Sequence, residues 1–177
     1  MKRLLVTYFI LQAVFCFAQE GTRRSDIEAY GVINTALGTK NIAVYKYFSN
    51  SKGWSVILSS EDIFDSLLGH CLNANGTETL EYSEVINEKE AEAISYELQS
   101  FRPNEKLKKD LLSRNIKIRG NSKAQALVRV TKPIFFSDKA VLFMQYDLEE
   151  KVLIFQKDVK GGWNLLCEKF LYLSTKN

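Results

Sequence analysis

Proline and glycine are scarce in this chain. Its 177 residues include two prolines and nine glycines, too few for a collagen-like repeat or a Pro/Gly-rich low-complexity chain. Hydrophobic residues make up 46% of the sequence, which excludes a wholly disordered protein. At this length we expect a single domain with its own buried core.

Histidine is scarcer still, since His70 is the only one in the sequence. With one histidine and no Cys-x-x-Cys spacing, we predict no metal site. His70 precedes Cys71, but a catalytic Cys and His must meet in space, whereas neighbouring residues of a helix diverge by about 100°. No G-x-S-x-G, G-x-G-x-x-G or Walker motif occurs. We therefore predict no catalytic residues, no cofactor-binding residues and no cofactor.

Long apolar runs are confined to the N-terminus. Lys2 and Arg3 precede an apolar run over residues 4–17, a pattern typical of a signal peptide. We predict a signal peptide over residues 1–18, cleaved after Ala18. The protein is then exported, periplasmic or secreted, and is not an integral membrane protein after cleavage.

Two alternatives to a cleaved signal peptide are weaker. An uncleaved anchor needs about 20 apolar residues, and this run is shorter. A lipoprotein would be anchored at Cys16, but a bulky residue, Phe15, stands where a small one is required.

The chain after residue 18 is nearly neutral. Loss of Lys2 and Arg3 leaves 22 basic residues against 21 acidic ones, so we predict no nucleic-acid partner. Charge is unevenly placed, however. Residues 78–97 hold seven glutamates and one lysine, whereas residues 106–132 hold nine basic residues and one aspartate.

The basic stretch is a candidate surface for an anionic glycan, a lipid headgroup or a protein partner. The alternative is that it faces the acidic stretch within the fold, where each surface ion pair contributes only about 0 to 1 kcal/mol. The candidate anion-binding residues are Lys108, Lys109, Arg114, Lys117 and Arg119.

Two cysteines follow the signal peptide, Cys71 and Cys167. Export permits a disulfide between them, and an even number favours one. The alternative is a pair of buried free thiols that act as small hydrophobic residues.

Local patterns predict helices first and strands later. Ser25 and Glu28 form a capping box for a helix over 25–37, and Asn87 and Glu90 form another before a helix that ends near Pro103. Other predicted elements in the first part of the chain are a hairpin of 42–48 with 54–58, a helix over 61–70 and a short helix from Asn104. Period-two alternation then predicts strands at 116–119, 126–130, 140–146, 151–156 and 163–173.

These elements predict an α+β fold. N-terminal helices and a hairpin precede a C-terminal four-stranded antiparallel meander that packs on the helices. No linker or repeat interrupts the chain, so residues 19–177 are predicted to form a single domain.

The C-terminal half carries a further pattern. Residues 130–138 read Val-Thr-Lys-Pro-Ile-Phe-Phe-Ser-Asp and lead into an apolar run, and Gly161-Gly162-Trp163 opens a later one. The pattern resembles the S-x-P-I-F-S-x-D … A … G-x-W-x-(I/L) arrangement of small uncharacterised exported proteins of Bacteroidota. Thr131 stands where serine is usual, and Lys139 stands where glycine is frequent. The resemblance implies an exported protein and brings no activity with it.

The function we predict is that of a non-enzymatic exported domain, one that binds a protein partner or a component of the cell envelope. Two alternatives stand beside it. One is a small hydrolase whose site is assembled from distant residues, and the other is a ligand-binding cone of cystatin-like or nuclear-transport-factor-like form.

Overall fold

The computed structural model describes residues 25–49, 70–81, 85–100, 105–120, 127–146 and 149–173. Helix α1 covers residues 25–37, helix α2 covers Glu88–Ser100, and Lys109–Leu111 form a 3-10 turn. The strands described in these ranges are β1 Ile42–Tyr45, β2 His70–Asn73, β3 Thr79–Glu81, β4 Ile116–Arg119, β5 Val128–Val130, β6 Ile134–Phe136, β7 Lys139–Tyr146, β8 Glu149–Lys157 and β9 Trp163–Leu173.

All nine of these strands belong to one mixed sheet. Its order is β3-β2-β9-β8-β7-β5-β1-β4, and β6 pairs with β7 beside β5. Strands β7, β8 and β9 form a long antiparallel meander, whereas β1 pairs in parallel with both β4 and β5. Strand β1 therefore connects the antiparallel part of the sheet to β4.

Strands β5 and β6 share one edge of β7, and Thr131 lies between them. The buried Thr131 hydroxyl accepts a hydrogen bond from the Phe143 N–H at 3.1 Å, and its own N–H donates to the Phe143 carbonyl at 3.0 Å. These bonds continue the ladder where the chain leaves β5, so buried backbone groups of β7 keep their partners.

Apolar side chains alternate between the two faces of the sheet. On one face, here called face A, Leu142 and Phe155 pack with Val32 and Ile33 of α1. On the opposite face, face B, residues of the same strands pack with Ile94 of α2. The central strands are therefore buried on both faces, which is why β7 and β8 read as nearly continuous apolar runs.

The predicted α+β fold was wrong. The structure is dominated by a mixed sheet, and the predicted meander is only its central part: β5, β7, β8 and β9 pair antiparallel, but the same sheet also contains the strands that precede them. The reason is physical. Alternation along a strand shows which residues share a face, but it does not show which strand lies alongside, and β1 and β4 are far apart in the sequence.

Several local predictions are confirmed. Helix α1 lies at residues 25–37, helix α2 begins after Asn87, and β4 covers the alternating stretch that starts at Ile116. Turns also lie at Ser137-Asp138, within the pattern noted over residues 130–138, and around Gly161.

Other local predictions are wrong, or they concern residues that the structure does not describe. The helix predicted from Asn104 is replaced by an extended stretch and the 3-10 turn, because Leu107 donates its N–H to Lys46 across the fold instead of within a helix. His70 begins a strand instead of ending a helix. The predicted signal peptide, the strand at 54–58 and most of the helix at 61–70 lie outside the described residues. Within the described part, no helix has both the length and the apolar character needed to cross a bilayer.

Candidate functional site

The five candidate anion-binding residues are divided between the two faces of the sheet. Lys108 lies beside the start of α1, where its ammonium forms an ion pair with the buried Asp26 carboxylate and its N–H donates to the Tyr30 hydroxyl. The bond to Asp26 raises the pKa of Lys108 above its usual value. Burial raises the pKa of Tyr30, and the hydrogen bond from Lys108 acts in the opposite direction.

The chain after Lys108 follows α1 towards its C-terminal end. The Asn34 side chain donates to the Leu111 carbonyl at 3.0 Å and accepts from the Ser113 N–H at 2.9 Å. Just beyond the end of α1, the Asn115 side-chain amide donates to the carbonyls of Gly38 and Lys40. These bonds hold residues 108–115 beside α1. The two remaining candidates in this stretch, Lys109 and Arg114, are exposed.

Lys117 and Arg119 lie on the other face. Ile116 of β4 belongs to the core on face A, beneath α1, and Ile118 packs against that core. The alternate residues of the strand, Lys117 and Arg119, therefore point to face B. Both side chains are exposed. The structure therefore brings Lys117 and Arg119 together and separates them from Lys108, Lys109 and Arg114.

A row of neighbouring side chains crosses face B from Arg119. Tyr45 is the register partner of Arg119 in the parallel β1–β4 pair. The guanidinium of Arg129 on β5 lies 5.7 Å from the centre of the Tyr45 ring, within the range of a cation–π contact. Arg129 donates to the Gln145 side chain at 3.4 Å, and Gln145 donates to the Glu150 carboxylate at 3.1 Å. Tyr45 is thus held from one side by a hydrogen-bonded network.

Tyr47 and two lysines extend this row beyond the end of β1. The rings of Tyr45 and Tyr47 meet edge to face, with their centres 5.8 Å apart. Lys106 is the bridge partner of Tyr47, and the Lys46 ammonium lies 4.8 Å from the centre of the Tyr47 ring. We call this set the basic–aromatic surface. Its members are Tyr45, Lys46, Tyr47, Lys106, Lys117 and Arg119.

Among the described residues, no acid forms an ion pair with the four cations of the basic–aromatic surface. Glu105, which precedes Lys106 in the sequence, accepts hydrogen bonds at 3.1 Å from Lys132 instead. Four cations around two aromatic rings attract anions, and the rings add flat apolar contact area.

The acidic stretch pairs with a different lysine. Glu90 of α2 lies 3.5 Å from the ammonium of Lys139 on β7, and Lys139 also donates to the Val85 carbonyl at 2.7 Å. Within the basic stretch, Lys108 and Lys132 pair with acids from outside residues 78–97. These pairs do not join the acidic stretch to the basic one.

The other residues considered from the sequence have structural positions. Cys71 on β2 and Cys167 on β9 are buried at disulfide distance, with their Cα atoms 5.7 Å apart. Glu149 and Glu150, which precede the strand predicted over 151–156, begin strand β8. The described residues contain no group of three or more His, Cys, Asp or Glu side chains arranged to hold a metal ion.

Compared with protein-family models, curated proteins and solved structures, the chain matches none of them. A functional argument therefore depends on the chemistry of the site itself.

Sequence reasoning found two of the six surface residues and missed the other four. A signal for the missed residues was present, because Tyr45-Lys46-Tyr47 alternates aromatic and basic side chains as Ile116-Lys117-Ile118-Arg119 alternates apolar and basic ones. What the sequence does not reveal is that these two segments lie side by side in register.

Proposed function

We propose that this chain is an exported, non-enzymatic binding domain that holds an anionic ligand on its basic–aromatic surface. The observation that carries this proposal is the group of four cations around two tyrosines, none of them ion-paired with a described residue. Such a group raises the local concentration of anions and supplies charge-assisted hydrogen bonds to them.

Export is the second part of the proposal. It is supported by the basic and apolar pattern of residues 1–18 and by the resemblance to small exported proteins of Bacteroidota. The pair Cys71 and Cys167 at disulfide distance is compatible with an oxidising compartment. An exported domain of this kind would meet anionic polymers of the cell envelope.

Charge reversal tests the binding surface. In the purified protein, we expect the double variant Lys117→Glu/Arg119→Glu to weaken binding of inorganic polyphosphate and polygalacturonate, measured by isothermal titration calorimetry, on the order of tenfold or more. Rising salt should weaken the binding of the polyanions to the wild type, and it should weaken their binding to the variant less.

Lys109→Glu/Arg114→Glu is the matched control, because it makes the same change in net charge at two exposed cations beside α1. We expect it to keep binding within about twofold of wild type. Equal losses in the two double variants would mean that only the overall charge matters, and the proposal would then be wrong. Absence of binding by the wild type would have the same consequence.

A further inference from the structure

We infer that the anionic ligand is an acidic polysaccharide carrying carboxylates, held as an extended chain across β4, β1 and β5 with a sugar ring on Tyr45. This inference rests on the proposed anion-binding function and names the class of ligand. Its basis is the order of side chains on face B, in which an aromatic ring lies between two arginines.

The spacing of this row suits a chain of rings. Strand β1 lies between β4 and β5, so Arg119 and Arg129 flank Tyr45 on strands that are about 10 Å apart, twice the spacing between neighbours. Successive sugar rings of an extended polysaccharide are separated by a distance similar to that between strands. A sugar over Tyr45 would place its neighbours over the positions of Arg119 and Arg129.

The Tyr45 ring is fixed before any ligand arrives. Tyr47 meets it at an interplanar angle of 65°, and Arg129, tied to Gln145, lies against it from the β5 side. A ring held in this way loses little side-chain freedom when a sugar stacks on it, which favours affinity. Flexible polyphosphate has no apolar face that could use this ring.

The arrangement beside Tyr45 is also suited to carboxylates. The exposed guanidinium of Arg119 presents a planar fork that matches a carboxylate through two parallel hydrogen bonds. Lys117 lies two residues away on the same face, and its register partner on β1 is the small residue Ala43. The small side chain leaves room for a chain to lie close to the sheet between Lys117 and Tyr45.

A lipid surface fits this face less well. Membrane-binding proteins insert apolar side chains next to their basic residues. The exposed large apolar residues of the described ranges include none on β1, β4 or β5. Among them, Leu72, Tyr146 and Phe170 lie on strands at other positions in the sheet.

The test compares two polyanions on three variants of one position. Binding of polygalacturonate and of inorganic polyphosphate, matched in charge concentration, is measured by calorimetry for wild type, Tyr45→Phe and Tyr45→Leu. We expect polygalacturonate to bind wild type on the order of tenfold more tightly than polyphosphate. Tyr45→Phe should retain that preference, and Tyr45→Leu, which keeps apolar bulk but has no ring, should abolish it.

Tyr146→Leu is the matched control, since it removes an exposed tyrosine from β7 and should leave both affinities unchanged. Thermal unfolding of each variant verifies that it is folded. If Tyr45→Leu is not folded, the preference of the wild type for polygalacturonate over polyphosphate still tests the inference. One result would overturn the polysaccharide inference and leave the anion-binding function intact. In that result both polyanions bind equally, and their binding depends on Lys117 and Arg119 but not on the Tyr45 ring. Binding of neither would overturn both.

Anionic phospholipid vesicles form a third arm of the same experiment. We expect the protein to bind them no more tightly than polyphosphate of matched charge. Tighter binding to vesicles than to polygalacturonate would overturn the inference in favour of a lipid headgroup.

Discussion

Gly31 lies against the indole of Trp163. A Cβ atom at position 31 would come within 3.1 Å of the Trp163 Cδ1 atom, closer than ordinary van der Waals contact. The indole is buried. The centre of the Phe135 ring lies 5.5 Å from the centre of the Trp163 ring, and the Lys157 ammonium lies 5.6 Å from the centre of the Trp163 ring. The absence of a side chain at Gly31 therefore determines how closely α1 approaches β9.

Gly31→Ala should destabilise the protein despite the better helix propensity of alanine. Alanine gains about 1 kcal/mol over glycine inside a helix, but crowding a fixed buried side chain costs about 1 to 3 kcal/mol. We expect a net loss on the order of 1 kcal/mol in the free energy of unfolding, measured with urea. In a Trp163→Val background the same substitution should cost less, because valine ends at Cγ and has no atom at the place of the Trp163 Cδ1. A stabilised single variant would contradict this account of the contact.

The start of α2 provides a second prediction. The Asn87 side chain accepts from the Glu90 N–H at 3.1 Å, and the Glu90 carboxylate accepts from the Asn87 N–H at 3.0 Å. Asn87→Ala should lower the free energy of unfolding by about 1 kcal/mol, because the helix loses its cap. Asn87→Asp keeps an acceptor and should cost much less. Equal stability of Asn87→Ala and wild type in urea unfolding would refute this role.

The turn between β8 and β9 makes stability sensitive to acid. The Asp158 carboxylate accepts from the N–H groups of Gly162 and Lys160, each at 2.8 Å, and these bonds hold its pKa below the usual range, with that of Gly162 the strongest cause. A lowered folded pKa stabilises the ionised state. The contribution is complete above the pKa of an unfolded aspartate, about 3.9, and is lost as pH falls through the folded value.

We therefore expect Asp158→Asn to flatten the loss of thermal stability between about pH 5 and pH 2.5, because asparagine still accepts these bonds but does not titrate. Asp158→Ala should lose the bonds at every pH and be less stable than Asp158→Asn at pH 7. Identical acid profiles for wild type and Asp158→Asn would show that other groups determine the acid response.

The cysteine pair should be a major contribution to stability. Cys71 and Cys167 are 96 residues apart in the sequence, so a disulfide between them restricts most of the unfolded chain. On the chain-entropy account, Cys71→Ala/Cys167→Ala should lose roughly 4 to 5 kcal/mol of unfolding free energy. Reduction of the wild type should give a similar loss in urea unfolding, and the double variant should not respond to reductant. No effect of reductant on the wild type would exclude a bridge in the folded protein.

Elements governed by neighbouring residues could be predicted from the sequence. Asn87 and Glu90 are three residues apart, and their reciprocal bonds form as the local pattern indicates. Ser137 and Asp138 turn the chain between two apolar runs, and Ser137 takes a positive φ of 53° there. Both features depend on bonds and backbone angles within a few residues.

The fold and the candidate site depend on pairings between distant segments. Arg119 was predicted to bind anions and Tyr45 was not, although the two are register partners. Nothing in either segment specifies a parallel neighbour, since β4 alternates apolar and basic residues, β1 reads Ile-Ala-Val-Tyr, and neither pattern identifies a partner strand. For the same reason Lys108 was grouped with Lys117 from their closeness in sequence, whereas Lys108 pairs with Asp26 beside α1.

The position of β9 has a consequence for how the protein is made. This strand comes after all the others in the chain, yet it lies inside the sheet between β8 and β2. Among the described residues β2 pairs with β3 and β9 alone, so β2 and β3, which are synthesised much earlier, take their places in this sheet only once β9 is available. The complete sheet therefore forms only after β9 has been synthesised. Until then this part of the chain is not fully folded, and an unfolded chain can pass through a translocation channel.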